Sequence, residues 1–121
     1  MSNQMTLGVF IKALQRCNQD AEVVFDFCHI KPTDFDSYRG FYDHLALGWD
    51  DEGEDVKCSD LLRDANDAVG KVFYGYKGGD YTMTLDTPLW VSNYGEAKET
   101  AIVDVVDKGY YVVIMTAYQE W

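Results

Sequence analysis

Three short clusters combine aromatic rings, glycine and a cation or amide: Ser37-Tyr38-Arg39-Gly40-Phe41-Tyr42, Gly75-Tyr76-Lys77-Gly78-Gly79-Asp80-Tyr81, and Thr87-Pro88-Leu89-Trp90-Val91-Ser92-Asn93-Tyr94-Gly95. Arg39 and Lys77 each adjoin a tyrosine and a glycine, and a backbone without Cβ lets N–H groups approach an anionic group closely. Aromatic faces stack on a base and a guanidinium forks to phosphate or carboxylate, a combination suited to holding single nucleotides. These residue types point to a nucleotide-like ligand bound by Tyr38, Arg39, Gly40, Tyr42, Tyr76, Lys77, Gly78, Gly79, Tyr81, Trp90, Asn93 and Tyr94. A structural role competes at each position, because tyrosines at loop starts often pack over a sheet edge with the hydroxyl satisfied locally.

Gly75 to Gly79 has neither the G-x-G-x-x-G spacing nor the terminal Gly-Lys-Ser/Thr of a phosphate loop, so its signal for phosphate cradling is weak. Nucleophilic catalysis needs Ser, Cys or Thr with a histidine base and an orienting group, and neither His29 nor His44 has a motif partner. The carboxylates between Asp50 and Asp55 crowd around Gly53, self-repel and read as a solvated loop, which makes poor general acids. They also lack the spacing of a calcium loop. Cys28-His29 offers two metal-ligand types, but adjacent strand residues point to opposite faces and no second Cys/His pair completes a zinc site. No catalytic residue, metal or cofactor is expected, and the chain reads as a binding protein rather than an enzyme.

The elements that must position these clusters are legible from periodicity. Thr6 can cap a helix over about 6–17, in which Leu7, Phe10, Ile11, Leu14 and Cys17 recur at three- and four-residue steps. Val23, Phe25 and Phe27 alternate in a first strand, and Ile30 to Arg39, with Pro32, Asp34, Asp36 and Ser37, reads as a loop. A second strand runs from Phe41 to Trp49. Ser59 can cap a second helix that runs to about Val69 and stops at Gly70. The stretch from Gly70 to Thr87 is too rich in glycine for a regular element. A strand over Leu89 to Ser92 follows Pro88, and Asp107-Lys108-Gly109 joins strands Ala101 to Val106 and Tyr110 to Ala117 in an antiparallel hairpin. The expectation is a single α+β domain over residues 1–121, an antiparallel sheet of about five strands with two helices on one face.

Ten Lys and Arg against 21 Asp and Glu give a net charge of −11. Such a surface repels phosphate backbones and anionic membranes, which argues against direct nucleic-acid binding. The apolar run from Tyr110 to Met115 falls far short of the roughly 20 residues of a spanning helix, and Met1 to Met5 carries no basic segment of a secretory signal. Cys17, Cys28 and Cys58 are an odd set in a chain able to build its own core, and all three read as free thiols of a reducing compartment. Exposed aromatics and a β-rich C-terminal region are compatible with a homodimer.

The clusters, with Asp20 to Phe27, Gly75 to Met83 and Thr87 to Val91, resemble a family of small accessory proteins of tailed bacteriophages and prophages. Members are similar in an N-terminal helix followed by Asp-Ala-x-Val-x-Phe-x-Phe, Ser-Tyr-Arg-Gly-Tyr-Tyr, Gly-Tyr-Lys-Gly-Gly-Glu-Tyr-x-Met and Thr-Pro-x-Trp-Val. Here Phe41 stands where Tyr is frequent and Asp80 where Glu is frequent. The resemblance implies a phage origin and expression in the host bacterial cytoplasm, and by class analogy a role against host defence. Two functions follow: sequestration of a small nucleotide-type defence signal in a pocket of the clusters, or blockade of a host defence protein by an acidic surface that mimics nucleic acid.

Overall fold

The computed structural model describes residues 4–26, 31–37, 45–50, 55–74, 80–91 and 100–118. Thr6 caps the first helix, α1 (Leu7–Gln15), its hydroxyl accepting from Val9 N at 3.4 Å. The periodic residues Leu7, Phe10, Ile11 and Leu14 are the buried ones, as their spacing requires. After the turn at 16–21 come β1 (Glu22–Phe25), β2 (Lys31–Ser37) and β3 (Leu45–Asp50), then α2 (Cys58–Ala68). A short ribbon of β4 (Val72–Tyr74) and β5 (Asp80–Thr82) precedes β6 (Leu89–Val91), β7 (Thr100–Asp107) and β8 (Tyr111–Tyr118).

The α+β class is as expected, but the sheet is mixed rather than antiparallel. Six strands stand in the order β1-β8-β7-β6-β3-β2, with β4 and β5 as a separate pair. β1 runs parallel to β8 and β3 parallel to β6, while β2–β3, β6–β7 and β7–β8 are antiparallel. The expectation of an antiparallel sheet assumed that strands adjacent in sequence pair. Instead α2 and the ribbon form the crossover that a parallel β3–β6 pair needs. The edge strands β1 and β2 nonetheless approach each other, and α2 touches both, so the sheet curls around the helices.

The segment read as a loop, Ile30 to Arg39, holds β2 from Lys31 to Ser37. Its turn-forming composition reflects its place at the sheet edge: Pro32 is tolerated there, and the register breaks between Pro32 and Phe35. Glycine likewise did not prevent the flanks of the 70–87 stretch from pairing, Val72 with Thr82 and Tyr74 with Asp80. Residues 41–44 of the expected second strand, residue 92 of the strand after Pro88, and 51–54 of the acidic loop lie outside the described residues.

Helix α2 begins two residues earlier than a Ser59 cap would set. Its N-cap is Lys57, whose N–H donates to the Asp60 carboxylate at 3.4 Å. Ser59 falls inside the first turn because the turn after α1 supplies the acceptors: Cys58 N donates to Ala21 O at 2.8 Å and Ser59 N to Gln19 O at 3.1 Å. At the other end Gly70 takes φ +77°, the left-handed stop that its position suggested.

Both helices and the inner sheet face share one core, in which Leu7, Phe10, Leu14, Leu61, Leu45, Leu47, Leu89 and Ile114 are fully buried. Phe10 meets Phe35 edge-on, the ring centroids 6.3 Å apart. On the opposite face of the sheet a smaller cluster joins Ala46, Trp90 and Ala101, with Val103 against it.

Candidate functional site

The strands that root the three aromatic and glycine clusters are contiguous. β2 ends at Ser37 and β3 starts at Leu45, so residues 38–44 join two paired strands whose end register is Ser37 opposite Leu45. β3 lies parallel to β6 with Leu45 opposite Leu89 and Leu47 opposite Val91. The start of the third cluster therefore adjoins the root of residues 38–44, Leu45 N donating to Pro88 O at 3.1 Å, while the parallel β6 ends at Val91, about 7 Å further along the strand and away from that root. The second cluster joins β4 to β5, and β4 packs against β2.

Of the residues assigned to ligand binding, Tyr38, Arg39, Gly40, Tyr42, Tyr76, Lys77, Gly78, Gly79, Asn93 and Tyr94 lie outside the described residues. Tyr81 is in β5, with its backbone paired to Phe73. Trp90 is in β6, 2% exposed on the sheet face away from the helices and packed on Ala46 and Ala101. A side chain so enclosed acts first as a floor for whatever stands over that face. Its small neighbours are what make room for the indole, since alanine at 46 and 101 leaves the space a larger residue would fill.

The N-terminal segment fixes the position of β6. Met5 N donates to Ile102 O at 2.8 Å and Leu89 N donates to Met5 O at 3.1 Å, so Met5 bridges β6 and β7. Leu7 N and Gly8 N continue the contact to Thr87 O and Leu85 O, each at 2.8 Å. Thr87, buried at 3%, closes a turn in which its hydroxyl accepts from Thr84 N at 2.8 Å. The Thr87-Pro88 pair before Trp90 is thus clamped from two sides. Beside this contact an open groove of about 400 Å³ runs between α1 and the turn, lined by Val9, Ile11, Lys12, Gln15, Leu85 and Asp86 among others.

A second chemical feature was not apparent from spacing. Cys17 and Cys58, both free thiols, meet where α1 ends and α2 begins. Burial and then the Asp107 carboxylate raise the Cys17 thiol. Burial, with Cys17 and Asp107 adding to it, pushes Cys58 up to about 11. Among the described residues no group of three or more His, Cys, Asp or Glu converges as a metal site would require, and no helix is long and apolar enough to cross a membrane. Cys28 and His29 lie outside the described residues. Comparisons with models of protein families, with curated proteins and with solved structures return no match.

Proposed function

We propose that this protein is a phage-encoded binding protein that sequesters a small nucleotide-type signalling molecule of host defence in the bacterial cytoplasm, without turning it over. The observation that carries the reading is the shared root of the three clusters: β4 packs on β2, β2 pairs with β3, and β3 pairs with β6. Clusters anchored on neighbouring strands can contribute to one ligand, whereas clusters anchored on distant elements could not. In this reading Arg39 and Lys77 meet the anionic groups, Tyr38, Tyr42, Tyr76, Tyr81 and Tyr94 supply ring faces and hydroxyls, and Gly40, Gly78 and Gly79 open backbone N–H groups to the ligand. Asn93 offers an amide to a base edge, and Trp90 supports the pocket from beneath.

Titration calorimetry against cyclic nucleotides and ADP-ribose-type nucleotides, at tens of micromolar protein, tests the reading. Binding of one class is expected, with Arg39→Ala weakening it by about 1.5–3 kcal/mol, roughly 10- to 150-fold, through loss of a charge-assisted contact. Tyr76→Ala should weaken it as well. Thermal melts on the same preparations separate affinity from folding. Absence of binding across the panel, or a large loss of stability with unchanged affinity among folded molecules, overturns the assignment.

A further inference from the structure

We propose that Cys17 and Cys58 form a reversible dithiol–disulfide switch that staples the end of α1 to the start of α2 when peroxide accumulates. The two thiols donate to consecutive carbonyls of the last turn of α1, Cys17 Sγ to Ala13 O at 3.2 Å and Cys58 Sγ to Leu14 O at 3.4 Å. Each is close enough to the other to shift its titration. The Gln19 carboxamide closes the corner around them: its Nε2 donates to Leu14 O at 2.8 Å and Cys17 O at 3.1 Å and reaches Cys58 Sγ at 3.8 Å. The backbone on both sides is tied as well, Cys58 N to Ala21 O at 2.8 Å and Ser59 N to Gln19 O at 3.1 Å. Two residues remote in sequence are thus held side by side by the fold, and neither contact belongs to the aromatic clusters.

The two sulfurs differ in access. Cys17 is half-buried and Cys58 fully buried, so oxidant meets Cys17 first. The Cys17 thiolate attacks one oxygen of hydrogen peroxide, the O–O bond breaks, and Cys17 sulfenic acid forms with release of hydroxide, which takes up the proton that the thiol lost. The Cys58 sulfur, giving its proton to the departing hydroxyl group, then attacks the sulfenic sulfur. The S–O bond breaks, the S–S bond forms and water leaves. In sum, two thiols and one peroxide give one disulfide and two waters; the sulfurs lose two electrons and the peroxide oxygens gain them. Two molecules of a thiol reductant such as glutathione reverse the step by exchange. Because both thiols are held in their protonated form, the pair is slow to oxidise and responds to a heavy peroxide load rather than to basal levels.

The test treats the full chain with hydrogen peroxide, with a dithiothreitol-reduced sample as reference. The intact mass should fall by about 2 Da, the two hydrogens lost on disulfide formation. A non-reducing peptide map should show Cys17 joined to Cys58, and Tm should rise by at least about 5 °C, as a cross-link closing a loop of this length does. Cys28→Ser should keep all three changes, and Cys17→Ser should abolish them. Since the map is read on the unsubstituted chain, the result does not depend on whether Cys58→Ser folds. A map showing only sulfinic or sulfonic Cys17, or a bridge involving Cys28, overturns the proposal.

Discussion

Gly8 occupies the first turn of α1, a place where glycine ordinarily costs a helix about 1 kcal/mol relative to alanine. Here the turn before β6 crosses directly over it: Gly8 N donates to Leu85 O at 2.8 Å, and a Cβ at this position would stand 3.0 Å from that same oxygen and 3.1 Å from Leu85 Cβ. Leu85 has little freedom to retreat, because Thr87 N donates to Thr84 O at 3.1 Å and Thr84 N to the Thr87 hydroxyl at 2.8 Å. Gly8→Ala should therefore destabilise by about 1 kcal/mol in spite of its better helix propensity, and Gly8→Val by more. Chemical denaturation of the three proteins checks the order; a stabilising alanine would show that the turn yields freely. The sequence discloses a glycine in a helix but not the segment that lies on it, some 75 residues further along. The Cys17–Cys58 contact is hidden for the same reason. By contrast Thr6 acts through its own hydroxyl on the next turn, and Gly70 and Gly109 through their own backbones, so their roles as cap, stop and turn were readable directly.

Elements were legible where local pattern and tertiary environment agree. The α1 stripe and the β7–β8 hairpin are of this kind, since periodicity and a glycine turn specify each without outside help. β2 was not legible: an edge strand uses proline, aspartate and serine without losing its pairing partner, and that composition is the one that marks loops elsewhere. The start of α2 was misjudged by two residues because its first N–H groups are satisfied by carbonyls of the α1–β1 turn rather than by a side chain. At the hairpin tip, Gly109 has φ +90° with nothing near a would-be Cβ, so the cost of substitution lies in the backbone alone. The tip is anchored: Asp107 accepts from Gly109 N at 2.8 Å and from Asn18 N at 2.9 Å, and Asn18 Nδ2 donates to Gly109 O at 3.1 Å. Gly109→Ala should cost about 1–2 kcal/mol of left-handed strain and lower Tm by several degrees, while Lys108→Ala beside it leaves Tm nearly unchanged. Equal melting of the two variants would mean that the hairpin relaxes at no cost.

At the scale of the whole molecule, topology and charge set properties that no single element holds. The pairing of β1 with β8 joins the beginning of the sheet to its end, and a parallel contact of such sequence separation leaves no trace in local pattern. The candidate site shares that limit. Residue types named the clusters, but only the β4, β2, β3, β6 run brings their roots together. Charge, in contrast, is fully stated by composition. With 21 acidic and 10 basic side chains, at least 11 carboxylates have no cation of their own, and the compact state carries their mutual repulsion. Even a formed pair such as Arg63–Asp60, at 3.4 Å and well exposed, offsets little of it. Salt acts mainly on the repulsive excess, because at about 0.5 M the screening length shrinks to roughly 4 Å, below the spacing of most surface charges. Raising sodium chloride from about 20 mM to 0.5 M should therefore raise Tm by a few degrees, with most of the gain below about 0.2 M, where the screening length changes fastest. Sodium sulfate at matched ionic strength should add a further rise through its exclusion from apolar surface, and differential scanning calorimetry separates the two effects. A Tm that falls with sodium chloride would show that attractive pairs outweigh the repulsion and that the net charge does not govern stability.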